Sequence, residues 1–201
     1  MQYFSDLKII SVYPNNIIFF LFTTLILCVA CNQPTKREEA QQKMFQSNIG
    51  NQFQLAKIVD STSNYIDLDF TSSDITIIDF WNNSCPPCIA EMKQFPDLIK
   101  GKANKIKIVS ISVNQYWLWK KTLEEHIGTF SFLKYKLDNW KQYNLFTTEN
   151  QGLKNDFSND RIVELQKIYG IVTFPAYFVV DKNGIILSRP ESAVDFLKNY
   201  E

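Results

Sequence analysis

Apolar residues follow distinct patterns along the second half of the chain, and these patterns predict alternating strands and helices. The run Ile75–Trp81 (ITIIDFW) is nearly continuous in β-branched and aromatic residues, which is typical of a strand buried on both faces. Beyond the next turn, apolar residues return at helical spacing, so we predict a helix that begins at about Cys85 or Pro86 and is kinked at Pro96. The run 106–113 (IKIVSISV) predicts a second strand, which completes a right-handed βαβ unit.

The same criteria predict three further helices and a hairpin. The helices cover residues 117–127, 160–169 and 192–200, and the hairpin strands cover residues 176–180 and 185–188. Asp160 is a suitable N-cap for the middle helix, and Gly170 lies just beyond its end. The dipeptide Asn183-Gly184 between two apolar runs is a strong hairpin signal.

The aromatic-rich stretch 128–159 is too long for a plain connection. It is either an extra packed element that covers the core or a surface that selects a partner protein. The order of elements is therefore β-α-β, then helices, then β-β and a last helix. This order predicts an α/β fold.

The first part of the chain predicts targeting. Residues 17–30 form an uncharged apolar run, which is shorter than the roughly 20 residues of a spanning helix and fits the apolar region of a secretory signal. The run ends in Val29-Ala30-Cys31, which resembles the lipobox of bacterial lipoproteins, although Cys28 stands where leucine is usual. This resemblance implies lipidation of Cys31, and the alternative is an uncleaved membrane anchor.

These features divide the chain of 201 residues into three parts. Residues 1–31 are predicted to be a lipoprotein-type signal peptide, residues 32–57 a polar tether, and residues 58–201 a folded domain. The 21 basic residues equal the 21 acidic ones, and no long basic run occurs. This balance argues against nucleic acid as a partner.

Cys85 and Cys88 flank a Pro-Pro pair at the predicted start of a helix. Cysteines three apart on a first helical turn can close a disulfide, because their Cα atoms lie within about 4.4–6.8 Å. The first cysteine lies at the positive end of the helix dipole, where a thiolate is favoured. We therefore predict that Cys85 attacks a partner's disulfide and that Cys88 resolves the mixed disulfide. Pro86 and Pro87 carry no N–H group for the Cys85 sulfur, whereas the amide of Cys88 can still donate.

Half of a zinc site and a purely structural disulfide are the alternatives for this cysteine pair. A zinc site of four ligands needs a second pair. Cys28 and Cys31 would be removed with the signal or acylated, and His126 is the single histidine. We therefore expect no metal and no cofactor, only a redox-active disulfide between Cys85 and Cys88.

Two carboxylates near the cysteines are candidates for proton transfer. Asp79 lies inside the most apolar strand, where burial would raise its pKa and let it exchange a proton with the resolving cysteine. The alternative is an aspartate capped by amides at the strand end. Glu91 lies one helical turn after Cys88 and is either a second proton-transfer group or a solvated helix charge.

These residues resemble the thioredoxin family. DFWNNSCPPC, starting at Asp79, is similar to the family's DFWAxWCxPC stretch, in which the aspartate is buried. Thr173-Phe174-Pro175 before a strand resembles its cis-proline loop. The segments CPPCIAE and KIYGIVTFPAYFVVDKNGII look more narrowly like the TlpA/ResA-like group of membrane-tethered thioredoxins. The resemblance covers residues 75–200 and implies a central mixed β-sheet flanked by helices, with an insertion before the cis-Pro loop.

The resemblance also implies roles for particular residues. Pro175 is expected to be cis and to face the disulfide, where the loop holds substrate backbone with Trp81 and Phe174 beside it. Glu91 matches an active-site glutamate of the group. One departure is Ser84, which stands where the family usually has tryptophan.

The implied activity is reduction of disulfides in exported proteins, such as apocytochrome c, by a lipoprotein on the extracytoplasmic side of a membrane in the cell envelope. A membrane electron donor would return the cysteines to the reduced state. A disulfide oxidase or isomerase of the same fold would use the same residues. A thiol peroxidase would need a Thr-x-x-Cys motif, which this sequence lacks. A copper chaperone of this fold would need CxxxC and a histidine, whereas this chain has CxxC and only His126. A redox-silent binding module would not need both cysteines.

Overall fold

The computed structural model describes residues 39, 43, 48–55, 58–126, 128–145 and 160–200. The predicted signal peptide 1–31, including Cys31, and the first part of the predicted tether therefore lie outside the described residues. In the part of the chain that is described, no helix has both the length and the apolar character needed to cross a membrane. The folded unit lies within Gln41–Glu201.

A seven-stranded mixed sheet forms the centre of this unit. The strands are β1 (Ile58–Val59), β2 (Tyr65–Ile66), β3 (Ile75–Trp81), β4 (Ile106–Ser112), β5 (Trp140–Asn144), β6 (Ala176–Asp181) and β7 (Ile186–Ser188). The helices after residue 58 are α1 (Pro86–Met92), α2 (Phe95–Ile99), α3 (Tyr116–Glu125), α4 (Asp160–Tyr169) and α5 (Ala193–Asn199), with a 3₁₀ helix over Gly128–Lys134.

The strand order is β2-β1-β5-β4-β3-β6-β7, which places β3 between β4 and β6. β3 runs parallel to β4 and antiparallel to β6, and β5 runs parallel to β4. The predicted βαβ unit is confirmed, since α1 and α2 connect the parallel strands β3 and β4. β3 is buried along its whole length, as its apolar sequence predicts.

Helices cover both faces of the sheet, so the predicted α/β fold is confirmed. Side chains from α1, α2, α3 and α5 pack on one face, together with Ile77 and Trp81 of β3. On the opposite face, α4 packs against Ile78 and Phe80. Because side chains of a strand alternate between faces, Asp79 lies on the same face as Ile77 and Trp81.

The stretch 128–159 contributes a strand to the sheet, which the sequence analysis did not predict. β5 pairs with β4 over five residues, and Trp140 at its start is buried between the rings of Phe95 and Phe132. The described part of this stretch, residues 128–145, therefore contributes a strand of the central sheet and a buried side chain of the core. The rest of the stretch, residues 146–159, lies outside the described residues.

Pro96 separates two helices, where the sequence predicts one kinked helix. α1 ends at Met92 and α2 begins at Phe95, with Pro96 in the first turn of α2. This position suits proline because a first-turn residue has no intrahelical partner for an N–H group. The break also lets Phe95 turn into the core, where it is fully buried.

Part of the predicted tether belongs to the folded domain. Phe53 is 4% exposed and stacks on Tyr169, with edge contacts to Phe70 and Phe178. Backbone hydrogen bonds join Gly50 and Asn51 to Ile186, and Phe53 to the carbonyl of Gly184. The domain therefore begins before residue 58, at about Asn48.

The predicted hairpin is confirmed at residues 181–184. Gly184 has a φ of +82°, which favours glycine, and Oδ1 of Asp181 accepts the N–H groups of Asn183 and Ile185 at 2.8 Å. The predicted helix over residues 160–169 is also confirmed, since α4 spans Asp160–Tyr169 and ends just before Gly170. The side chain of Asp160 is outside the described part, so its capping role stays a prediction.

Candidate redox site

The two cysteines of the CPPC segment form a disulfide at the start of α1, with their Cα atoms 5.3 Å apart. Cys85 is the N-cap residue, and its sulfur accepts the backbone N–H of Cys88 at 3.2 Å. This is the donor that the sequence predicts, because Pro86 and Pro87 have no N–H. Cys85 is 6% exposed and Cys88 is 0% exposed, so Cys85 is the more accessible of the two cysteines.

Polar side chains hold the loop that precedes Cys85. The backbone N–H of Asn83 donates to Oδ1 of Asn114 at 2.8 Å, and its side-chain amide donates to the hydroxyl of Thr122 on α3. The Asn114 carbonyl in turn accepts from the Asn144 amide at 3.1 Å. The loops that follow β3 and β4 are thereby joined to each other, to α3 and to the last residue of β5. Sequence analysis missed Asn114, since no local pattern links it to Asn83.

The peptide bond between Phe174 and Pro175 is cis, as the family resemblance predicts. Ala176, the next residue, pairs with Phe80 near the carboxyl end of β3, which places the proline at the end of the sheet where CPPC begins. Phe174 is half-buried and packs against the side-chain cluster that contains Cys85 and Cys88. Phe174 and Pro175 are therefore positioned near the disulfide.

Trp81 is fully buried, which corrects the prediction that it contacts substrate. Its ring lies 6.2 Å from that of Phe130 and packs in the same cluster as the two cysteines. The substrate role came from the family resemblance, whereas the strand is buried to its last residue, as its apolar sequence predicts. Trp81 therefore supports the site from within the core.

Asp79 is completely buried in the middle of the sheet, so the alternative of a capped aspartate at the strand end is wrong. Its Oδ2 accepts the hydroxyl hydrogen of Ser110 at 2.8 Å. Within the described residues, its Oδ1 has no hydrogen-bond partner. Burial raises the pKa of Asp79 to about 7, against the lowering effect of Ser110, and the negative charge of Glu91 raises the pKa further.

Tyr177 faces Asp79 from the neighbouring strand, because the two residues are register partners of β6 and β3. Burial raises the pKa of Tyr177 above its ordinary value, and the carboxylates of Asp79 and Glu91 raise it further. Tyr177 thus remains a neutral phenol next to Asp79. Sequence analysis did not single out this residue, since a tyrosine in a strand is ordinary.

Glu91 is half-buried and binds the start of α5, which excludes the alternative of a solvated helix charge. Its Oε2 accepts the backbone N–H groups of Ala193 at 2.9 Å and Val194 at 3.2 Å. A carboxylate is favoured at a helix N-terminus, where these N–H groups have no intrahelical partner. Glu91 therefore joins the helix that carries the cysteines to the last helix of the domain.

The fold and the site together define the class of this protein. The disulfide lies at the first turn of α1, the helix that follows the central strand β3. The cis-proline Pro175 comes just before β6, which runs antiparallel to β3, and the buried Asp79 lies in β3 itself. This arrangement is that of a thioredoxin-like thiol–disulfide oxidoreductase.

The chain belongs to the AhpC/TSA family, whose pattern it matches over residues 48–189. It is 25% identical over 190 residues to the thiol-disulfide oxidoreductase ResA of Bacillus thuringiensis, an alignment that covers 92% of this chain and 95% of that protein.

Solved structures share the fold. A thiol:disulfide interchange protein from Bacteroides sp. superposes with a TM-score of 0.55 and 22% identity, over 75% of this chain and 86% of that one. The thioredoxin domain of a thiol-disulfide oxidoreductase from Bacteroides vulgatus gives the same TM-score of 0.55 and identity of 22%, over 75% of this chain and 93% of that domain. Both comparisons agree with a thioredoxin-like architecture.

Proposed function

We propose that this protein is an extracytoplasmic reductant that uses Cys85 and Cys88 to reduce disulfides of exported proteins. The observation that carries the proposal is the disulfide at the start of α1, in which Cys85 is slightly exposed and Cys88 is fully buried. Cys85 is thus the more accessible cysteine, and the Cys88 N–H and the helix dipole both favour a thiolate there.

The proposed reaction begins with the reduced dithiol. The Cys85 thiolate attacks one sulfur of the substrate disulfide, which forms a mixed disulfide and releases the first substrate thiolate. The Cys88 thiol then loses its proton and attacks the Cys85 sulfur. This closes the Cys85–Cys88 disulfide and releases the second substrate thiolate, so that two electrons pass to the substrate without any cofactor.

Asp79 is proposed to accept the proton of Cys88. It lies on the sheet face that α1 covers, and its pKa of about 7 lies where a group can both take up and release a proton near neutral pH. Tyr177 is a poor alternative base, because its raised pKa keeps it neutral. Glu91 is occupied by the N–H groups of α5, so we assign it to positioning α1.

Phe174 and Pro175 are proposed to hold the substrate backbone beside Cys85. Both residues are half-buried and come just before β6, at the end of the sheet where the disulfide lies. The peptide bond between them is cis. Trp81 has no such role, since it is fully buried.

Cysteine substitutions test the assignment. With a peptide disulfide as substrate, Cys85→Ser should abolish reduction, whereas Cys88→Ser should still attack and accumulate a mixed disulfide that mass spectrometry detects on Cys85. A matched control is Ser84→Ala, which changes an exposed residue next to Cys85. Reduction by Cys85→Ser at the rate of the unmodified protein would overturn the proposal.

The direction of electron flow is tested by acid-quenched thiol trapping in the protein's own cells. A reductant supplied by a membrane electron donor should have Cys85 and Cys88 mostly reduced. Mostly closed disulfide, together with a reduction potential well above that of thioredoxin (about −270 mV), would support the oxidase or isomerase alternative instead.

The proposed location is the outer face of a membrane, with Cys31 lipidated and left as the new N-terminus when residues 1–30 are removed. The support is the apolar run followed by Val29-Ala30-Cys31. Metabolic labelling with a radioactive fatty acid should mark the intact protein and not a Cys31→Ala variant. Equal labelling of both would contradict lipidation at Cys31.

A further inference from the structure

Four polar side chains, three of them fully or almost fully buried and one partly buried, form a row across the sheet. Register pairs place Gln142 of β5 beside Ser110 of β4, Ser110 beside Asp79 of β3, and Asp79 beside Tyr177 of β6. Paired residues of neighbouring strands lie on the same face of a sheet. Ser110 is therefore the polar neighbour of Asp79 on one side, as Tyr177 is on the other.

Trp140 orients the Ser110 hydroxyl that contacts Asp79. The indole Nε1–H of Trp140 lies 3.0 Å from the Ser110 oxygen, and an indole can only donate. Ser110 therefore accepts from Trp140 with one lone pair, and its own hydrogen can point towards Oδ2 of the ionised Asp79 at 2.8 Å. A donor held towards a carboxylate favours the ionised form of that group.

Trp140 is held firmly in place. It is 6% exposed, its ring is stacked on Phe132, and the edge of Phe95 from α2 packs against it. Hydrogen bonds thus connect Trp140 of β5 through Ser110 to Asp79, and with Asp79 ionised each residue donates to the next. The sequence gives no sign of this connection, because Ser110 and Asp79 are 31 residues apart.

We propose that Ser110, oriented by Trp140, is a positioning residue that keeps Asp79 available as the proton acceptor for Cys88. This inference rests on the proposed function of Asp79. The other titratable groups that face Asp79 are Glu91 on α1, Tyr177 on β6 and, in the reduced protein, the cysteine thiols. Burial and Glu91 oppose ionisation, and Ser110 is the group that favours it.

The test is the pH dependence of mixed-disulfide resolution, measured in single turnovers of the full chain by quenched mass spectrometry. The acid limb of this profile should report ionisation of Asp79. Ser110→Ala should shift that limb to higher pH by about one unit, since a hydrogen bond to a charged group is of that order. Trp140→Phe should shift it in the same direction by less, because Ser110 keeps its hydroxyl but loses its orientation.

Two control variants make the result specific. Ser110→Thr keeps the hydroxyl and should restore the acid limb to within about 0.3 unit of the unmodified protein, a small fraction of the shift expected for losing the bond. Thr76→Val removes a buried hydroxyl of β3 that has no hydrogen-bond partner within the described residues and lies on the opposite face from Asp79, so its profile should not change. Circular dichroism should show that each variant is folded.

An Asp79→Asn variant separates the two levels of the proposal. If Asp79→Asn leaves the profile unchanged, the role of Asp79 in the proposed function is wrong. If Asp79→Asn removes the acid limb and Ser110→Ala does not shift it, the role of Ser110 alone is overturned. If Ser110→Ala does not fold, the pKa of Asp79 in Trp140→Phe and Ser110→Thr, measured by carboxyl carbon NMR, decides the matter. An upward shift in the first and none in the second is expected, and equal values in both overturn the inference.

Discussion

The carboxylate of Glu91 on α1 accepts the backbone N–H of Ala193, the first residue of α5, at 2.9 Å. The two residues are 102 positions apart in the sequence. The same carboxylate oxygen also accepts the N–H of Val194. The helix that carries both cysteines is therefore fixed to the last helix of the domain through one side chain.

Replacing Glu91 with glutamine should lower the free energy of unfolding by about 1 kcal/mol. The amide oxygen still accepts a hydrogen bond, but the charge that strengthens both bonds is lost. Urea denaturation at pH 7 measures the difference. A suitable control is Glu124→Gln, since Glu124 forms an exposed pair with Lys120 on α3, and we expect a change within about 0.5 kcal/mol there. Equal effects of the two substitutions would refute the bridging role.

Asp79 should make stability fall with rising pH. Its pKa is about 7 in the folded protein against 3.8 for the ordinary group, so between pH 4 and pH 7 the folded state binds the proton that the unfolded state has lost. The free energy of unfolding should fall by a few kcal/mol across this window, because one pKa unit corresponds to about 1.4 kcal/mol.

The measurement is urea denaturation of the oxidised protein at a series of pH values. Asp79→Asn should lack this part of the pH dependence and should be more stable than the unmodified protein above pH 7. Parallel stability curves for the two proteins would show that Asp79 has no raised pKa. If Asp79→Asn is more stable but resolves the mixed disulfide more slowly, the buried aspartate lowers the stability of the domain while it serves the proposed proton transfer.

The Asn114 side chain should protect the loop before Cys85 from opening. Asn114→Ala removes the acceptor of the Asn83 N–H, so hydrogen exchange at the Asn83 amide should accelerate by about tenfold, which corresponds to one hydrogen bond. The Asn183 amide, bonded to Asp181 in the distant hairpin, is an internal control and should not change. Unchanged exchange at Asn83 would mean that Asn114 does not hold this loop.

Phe53 should be essential to the stability of the domain, although it lies in a segment that the sequence predicts to be a tether. Phe53→Ala should cost about 3–5 kcal/mol, as is usual for removing a buried aromatic ring. Ile49→Ala, in the same segment but 48% exposed, should change stability by less than about 0.5 kcal/mol. Denaturant unfolding of both variants tests the boundary, and a small effect for Phe53→Ala would restore the predicted tether.

Long, strongly apolar elements were predictable from the sequence, whereas short polar strands were not. β3 was predicted with its observed ends because seven buried residues in a row leave little ambiguity. β5 (WKQYN) was missed, since its middle residues are polar and only partly buried, and β1 was missed because it is two residues long. Both segments form strands because they pair with neighbouring strands, and the strand propensity of their own residues contributes less.

The candidate site was predictable where its chemistry is local. Cys85, Cys88 and the Cys88 amide all lie in one turn, so their relationship follows from spacing. The partners of Asp79 and Glu91 are instead brought close by strand register and helix packing, 31 and 102 residues away. Such contacts depend on tertiary structure, and sequence analysis could propose only that both carboxylates mattered.

The backbone bonds of residues 50–53 to Gly184 and Ile186 have a further consequence for how the protein meets other chains. A free sheet edge offers unpaired N–H and C=O groups to any extended peptide and so invites strand addition. Here the chain occupies the beginning of the β7 edge with its own backbone. This part of the edge is therefore closed to strand addition by another chain.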